Sequence, residues 1–184
     1  MKLSTRTLQG LKDDAAVVDV HRDGMSEESA LGQVTDFNDS FVYMSLFDEN
    51  GLANGVAVFW RHDISRIRWG GNQREAVAAL VRERGTRPSM PNLQLDSIES
   101  VLRSIRAAFG YVNVLIEHLA TDVTFIGEIE EIDTESLLLL SYGTQASRDR
   151  SRLLLRLDDI TRVDADSAYE RSIHYLATGK MPQD

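Results

Sequence analysis

One stretch of the chain concentrates side chains suited to holding an anion. Phe59-Trp60-Arg61-His62 is followed closely by Arg66, Arg68 and Trp69. Guanidinium groups neutralise negative charge, and indole faces accept a stacked base. Trp60, Arg61, His62, Arg66, Arg68 and Trp69 therefore form the candidate ligand-binding set, for a nucleotide, RNA or another anion. The structural alternative for the same residues is aromatics in a core and arginines paired with nearby acids. Gly70-Gly71 follows directly, but without the lysine that completes a phosphate-cradling loop.

No catalytic constellation accompanies this cluster. His21, His62, His118 and His174 show no metal-ligand spacing, there is no G-x-S-x-G, and there is no cysteine to supply a thiolate. The sequence predicts a non-enzyme with no cofactor and no metal. Asp63 and Asp159 are expected to cap tight turns through backbone N–H groups. Asp158-Asp159 makes a poor metal site if the pair lies on a strand, where neighbours face opposite ways.

Charge narrows the partners. The chain has 184 residues and a formal net charge of −9. Residues 1–91 carry 11 basic and 13 acidic side chains, residues 92–184 carry 9 and 16. Acidic balance disfavours general nucleic-acid binding and directs any basic site to the first half. With neither an apolar leader nor a run long enough to span a bilayer, the expectation is a cytoplasmic protein without membrane contact.

The elements that must position these residues come in two similar series. Residues 4–13 suit a short helix with Leu8 and Leu11 on one face. Strands are expected at Ala15–Val20, Ala30–Phe37, Phe41–Phe47, Val56–Trp60 and Ile64–Trp69, with turn formers between them. A helix should open at Asn72 with Glu75 as a capping box, bury Ala76, Val77, Leu80 and Val81, and end near Gly85. Pro88 and Pro91 mark a linker. A second helix, capped by Asp96, should run through Ile98, Val101, Leu102, Ile105 and Phe109 to Gly110. Strands at Tyr111–Glu117, Val123–Ile132, Leu137–Leu140, Arg152–Leu157 and Ile160–Val163 follow, then a helix capped by Ser167 and Glu170 and stopped at Gly179. Leu137–Leu140, Phe41–Phe47 and Leu153–Leu155 are too uniformly apolar for a water-facing strand, so their outer faces are expected to be covered, by the unit's own helices, the other unit or another chain.

Asp63-Ile64-Ser65-Arg66-Ile67 recurs 96 positions later as Asp159-Ile160-Thr161-Arg162-Val163. Ser40 and Ser136, and Leu80 and Leu176, share that offset. The fold class expected is α+β, mainly β with helices: two five-stranded SH3-like barrels in tandem, each with flanking helices, residues 1–86 and 87–184. Within that class each half resembles an Sm-like barrel. Gly32, Val34, Phe37 and Asn38, and again Gly127, Ile129, Ile132 and Asp133, match the first Sm motif. Ile64 and Ile67, and Ile160 and Val163, match the end of the second. The RNA-reading asparagine is replaced around Val42 and Leu137, and the Arg-Gly pair is missing. The resemblance thus implies the fold and ring-like homo-oligomeric assembly, and a scaffold or interaction role. RNA or nucleotide binding by the basic-aromatic cluster is the alternative.

Overall fold

In a computed structural model, residues 3–121 and 123–180 are described. Over the described residues the protein is mixed α+β, with ten strands, antiparallel in every pairing described, and four α-helices. It divides into two compact units, Met1–Met90 and Pro91–Asp184.

The first unit opens with α1 (Thr5–Asp13), capped by the Ser4 hydroxyl and burying Leu8 and Leu11. Then come β1 (Val17–His21), β2 (Ala30–Phe37), β3 (Phe41–Phe47), β4 (Ala53–Trp60), β5 (Arg66–Trp69) and α2 (Asn72–Arg84). The strand order is β5-β1-β2-β3-β4. The second unit has α3 (Ile98–Phe109), β6 (Val112–Leu115), β7 (Thr124–Ile132), β8 (Ser136–Ser141), β9 (Ser151–Arg156), β10 (Arg162–Ala165) and α4 (Ala168–Thr178). Its order is β10-β6-β7-β8-β9. Neither sheet is closed by a described ladder between its own outer strands.

The two units repeat one another in detail. Gly32 on β2 and Gly127 on β7 lie so close to the facing strand that an added Cβ would stand 2.2 Å from the Ser45 and Leu140 carbonyl oxygens. Only glycine permits that approach. A bulge follows each glycine, between Val34 and Asp36 and between Ile129 and Glu131. Bulges add local bend and twist. Each hairpin then turns on one side chain. Asn38 Oδ1 accepts from the Ser40 and Phe41 amides, both at 2.8 Å. Asp133 Oδ1 accepts from Glu135 and Ser136, at 2.8 and 2.7 Å. Those backbone donors hold the Asp133 carboxyl below its ordinary range.

The repeated pentapeptide is the second shared device. Ile64 and Ile160 are buried. The Ser65 hydroxyl donates to the His21 carbonyl at 3.0 Å, accepts from the Asp23 amide at 3.0 Å and lies 2.7 Å from Asp23 Oδ2. The Thr161 hydroxyl stands in the same relation to the Leu115 carbonyl (3.2 Å), the Glu117 amide (3.1 Å) and Glu117 Oε2 (2.6 Å). The hydroxyl pins the last strand to the end of the first.

Several sequence expectations need correction. α2 has Gly71 as its N-cap and no side-chain cap hydrogen bond, so Asn72 and Glu75 form no capping box. Of its expected apolar face only Val77 is buried, while Leu80 is exposed. α3 is capped by Ser97, which accepts from the Ser100 amide at 3.1 Å, so Asp96 is not the cap. β1 begins at Val17 because Ala15 has a φ of 46°, off the extended range. β5 begins at Arg66 and β10 at Arg162, the preceding residues being taken up by the corner. Asp158 and Asp159 lie in a 3₁₀ turn, Leu157–Asp159, closed by the Ile160 amide on the Leu157 carbonyl. The capping box of Ser167 and Glu170, by contrast, is present in full.

The uniformly apolar strands also differ. β3 is buried along its whole length. Val42, Met44 and Leu46 pack in one cluster with Leu8 and Leu11 of α1, while Phe47 packs with Val77 of α2. β8 alternates instead: Leu137 and Leu139 are buried, Leu138 and Leu140 half-buried. On β9, Leu154 is 73% exposed. Within this one chain, cover along the whole strand is found for β3 alone of the three, and cover by another chain would come only with assembly.

Candidate functional site

The six candidate residues separate into two groups on the outer strands of the first unit. Trp60 ends β4, and Arg61 and His62 lie in the turn that follows. Arg66, Arg68 and Trp69 belong to β5.

In the β4 group, Trp60 is half-buried and packs on Phe41 with ring centroids 4.3 Å apart. Arg61 is buried. Its guanidinium donates to the Asn38 carbonyl (2.9 Å), the Leu3 carbonyl (2.5 Å) and the Thr5 hydroxyl (2.8 Å). It ties the start of α1 to the β2–β3 turn and is not available to a ligand. His62 is exposed and lies 3.2 Å from Asp63.

In the β5 group, Arg66 is engaged twice by Asp23, at 2.9 and 3.0 Å. That hydrogen bonding draws the Asp23 carboxyl below its ordinary pKa. Arg66 also lies 3.3 Å from His21 Nδ1. Burial and the nearby Arg66 charge push His21 down, which favours the neutral ring at pH 7.

Arg68 and Trp69 are different. Arg68 is exposed and has no ion pair among the described residues. Its cross-strand partner Asp19 gives Oδ2 to Arg74 instead, at 2.5 Å. Trp69 is 54% exposed. The two line an open depression of about 370 Å³ with Ile67, Gly70, Gly71 and Arg74. Gly70 and Gly71 have φ values of 68° and 77°, which side chains resist. They let the chain turn sharply from β5 into α2, which starts without a side-chain cap. The arrangement offers an indole face and one free guanidinium. It suits stacking on, and neutralising, a small anion, and it presents no nucleophile.

Of the six, then, Arg68 and Trp69 share a concave surface, while Trp60, Arg61, His62 and Arg66 do not line it. Arg74 and the Gly70-Gly71 pair complete the lining. Arg74 gave no signal in sequence beyond its place in the first turn of α2. No group of three or more His, Cys, Asp or Glu among the described residues could hold a metal ion. No helix among them is long and apolar enough to cross a membrane. Set against family models, curated proteins and solved structures, the chain matches none.

Proposed function

We propose that the protein is a tandem of two Sm-like barrels that assembles with copies of itself into a non-enzymatic scaffold. Support for barrel curvature comes from the corners. Flat, five strands set their outermost members ~19 Å apart. Yet β4 ends at Trp60 and β5 begins at Arg66, on opposite outer edges, with the link folded into a turn by the Asp63 amide on the Trp60 carbonyl. The second unit does the same between Arg156 and Arg162. Only a strongly bent sheet accommodates so short a link, and the glycines and bulges supply the bend.

The observation that carries self-assembly is β9. It has one hydrogen-bonded neighbour, β8, and exposes Leu154. An unpaired six-residue edge with a bare leucine is a pairing surface unless something covers it. β5 likewise has one neighbour, β1. Joining β9 of one copy to β5 of the next gives a head-to-tail contact, the kind that closes into a ring where the rotation between copies allows it. Light scattering at tens of micromolar should report a multiple of the monomer mass, and Leu154→Lys should lower it. A monomeric wild type would sink the reading.

A second reading rests on the depression at Arg68 and Trp69: binding of a nucleotide or a short RNA. Titrating a short RNA at low salt should change tryptophan fluorescence, and Trp69→Ala should remove most of the response. An unchanged signal at low salt eliminates it.

A further inference from the structure

The acidic second unit contains a basic feature of its own, independent of the assembly proposed above. Four of its eight arginines are closely neutralised. Arg103, Arg152, Arg162 and Arg171 each meet a carboxylate at 2.7–2.8 Å. Arg148 and Arg150 do not. Arg148 has no ion pair among the described residues, and Arg150 comes no closer than 4.0 Å to Glu128. Both line a cavity of about 90 Å³ between α4 and the loop that joins β8 to β9.

That loop is wound in a fixed shape. Gly143 has a φ of 73°, and a Cβ there would meet the Asp149 amide at 2.5 Å. Thr144 and Ser147 exchange hydrogen bonds at 3.1–3.2 Å, and the Arg148 amide donates to the Thr144 carbonyl at 2.8 Å. Arg148 itself takes a φ of 48°, a conformation that non-glycine residues seldom adopt. The Arg150 guanidinium sits 5.5 Å from the centre of the Tyr142 ring. Tyr142 is fixed in turn by Glu128 (2.8 Å) and His174 Nδ1 (3.1 Å). The cavity thus has two guanidiniums and the Thr144 hydroxyl on its polar side. Ile173, Leu176 and Ala177 of α4 make its apolar side.

We propose that this cavity binds a small monocarboxylate with a short apolar tail. Charge sets the valence. Two arginines, partly offset by Glu128 beside Arg150, leave about one positive charge, and burial pushes His174 down so that it adds none at pH 7. Volume sets the length, since the space equals that of roughly three liquid waters. A carboxylate bridging Arg148 and Arg150 at the mouth takes charge-assisted hydrogen bonds, so only the tail, up to about three carbons, has to fit the α4 side.

The test is an NMR titration of the ¹⁵N-labelled full chain with sodium butyrate, with butanol and inorganic phosphate as comparators. Butyrate should give saturable shifts at Thr144, Arg148, Ile173 and Ala177, butanol none, and phosphate a weaker response. Arg148→Ala should weaken butyrate about tenfold, with Arg148→Lys between it and wild type. Ala177→Leu fills the apolar side and keeps both charges, so it should abolish butyrate binding while the phosphate response persists. Dispersed spectra of each variant report that it is folded. The proposal fails if butyrate does not saturate, if Arg148→Ala leaves its affinity unchanged, or if phosphate binds as well as butyrate.

Discussion

Each unit ties its last helix to its first strand at the same place, with opposite chemistry. In the first, Arg74, the third residue of α2, donates to Asp19 of β1 at 2.5 Å. In the second, Glu170, the third residue of α4, accepts from Asn113 of β6 at 2.6 Å. All four residues are buried. One tie is an ion pair; the other joins an amide to a carboxyl that burial and the nearby Asp164 charge push up to about 7. Geometry is held constant while charge inverts. What the architecture requires is therefore a polar bridge at that point, and either sign satisfies it. Glu170 also accepts from the Ser167 amide at 2.9 Å, so it caps its helix, whereas Arg74 donates to the Gly70 carbonyl at 2.6 Å.

The bends offer the severest test of this equivalence. Gly32→Ala and Gly127→Ala each force a Cβ onto a carbonyl oxygen, and each should cost about 3 kcal/mol or more, or prevent folding. Denaturant titration of both variants checks whether the bends matter equally. Next in size is Arg74→Ala, which leaves Asp19 buried without its cation and should cost about 3 kcal/mol. Asn113→Ala should cost less, about 1–2 kcal/mol, because Glu170 can take up a proton in place of the lost bond.

The pH profile distinguishes the two ties further. A carboxyl raised from 4.5 to about 7 binds its proton more tightly when folded. Its contribution is fully present below pH 4.5 and is lost as pH rises to about 7. Stability should fall over that window by on the order of 3 kcal/mol, and Glu170→Gln should flatten the slope. The smallest effect concerns the corners. Arg61 and Leu157 occupy matching positions, with amides donating to the Ser40 and Glu135 carbonyls at 2.7 and 2.9 Å. Arg61→Leu removes the ties to Leu3, Thr5 and Asn38 but also a buried Nε without a partner. The net change should stay within about 1 kcal/mol by thermal melting.

Much of this order was legible in the residues. The alternation in Ala30–Phe37 and the turn formers at Asn38–Ser40 place β2 and β3 where they are found, because their periodicity is local. Helix starts were harder to read. Gly71-Asn72 and Asp96-Ser97 each set two capping types side by side, and backbone angles rather than residue type decide between them. The Ser65 and Thr161 contacts were invisible, since their partners lie 42 and 44 residues upstream. In the candidate set, sequence could not tell the buried Arg61 from the free Arg68. Arg61 is taken up by acceptors 23 to 58 residues away, and Arg68 is left free because Asp19 accepts from the Arg74 guanidinium. Arg148 and Arg150 read as an ordinary polar loop, because the α4 side of their cavity comes from a distant segment.

The inverted tie also bears on how the chain avoids tangling with itself. A polypeptide with two near-equivalent halves risks exchanging parts during folding, each helix settling on the wrong sheet. Were α4 to dock in place of α2, Glu170 would meet Asp19, carboxylate against carboxylate. Were α2 to dock in place of α4, Arg74 would meet the neutral Asn113 beside Asp164, a carboxylate already paired with Arg162 at 2.7 Å. A single buried contact thus works as a lock cut for one key, letting two copies of the same fold mature side by side in one chain.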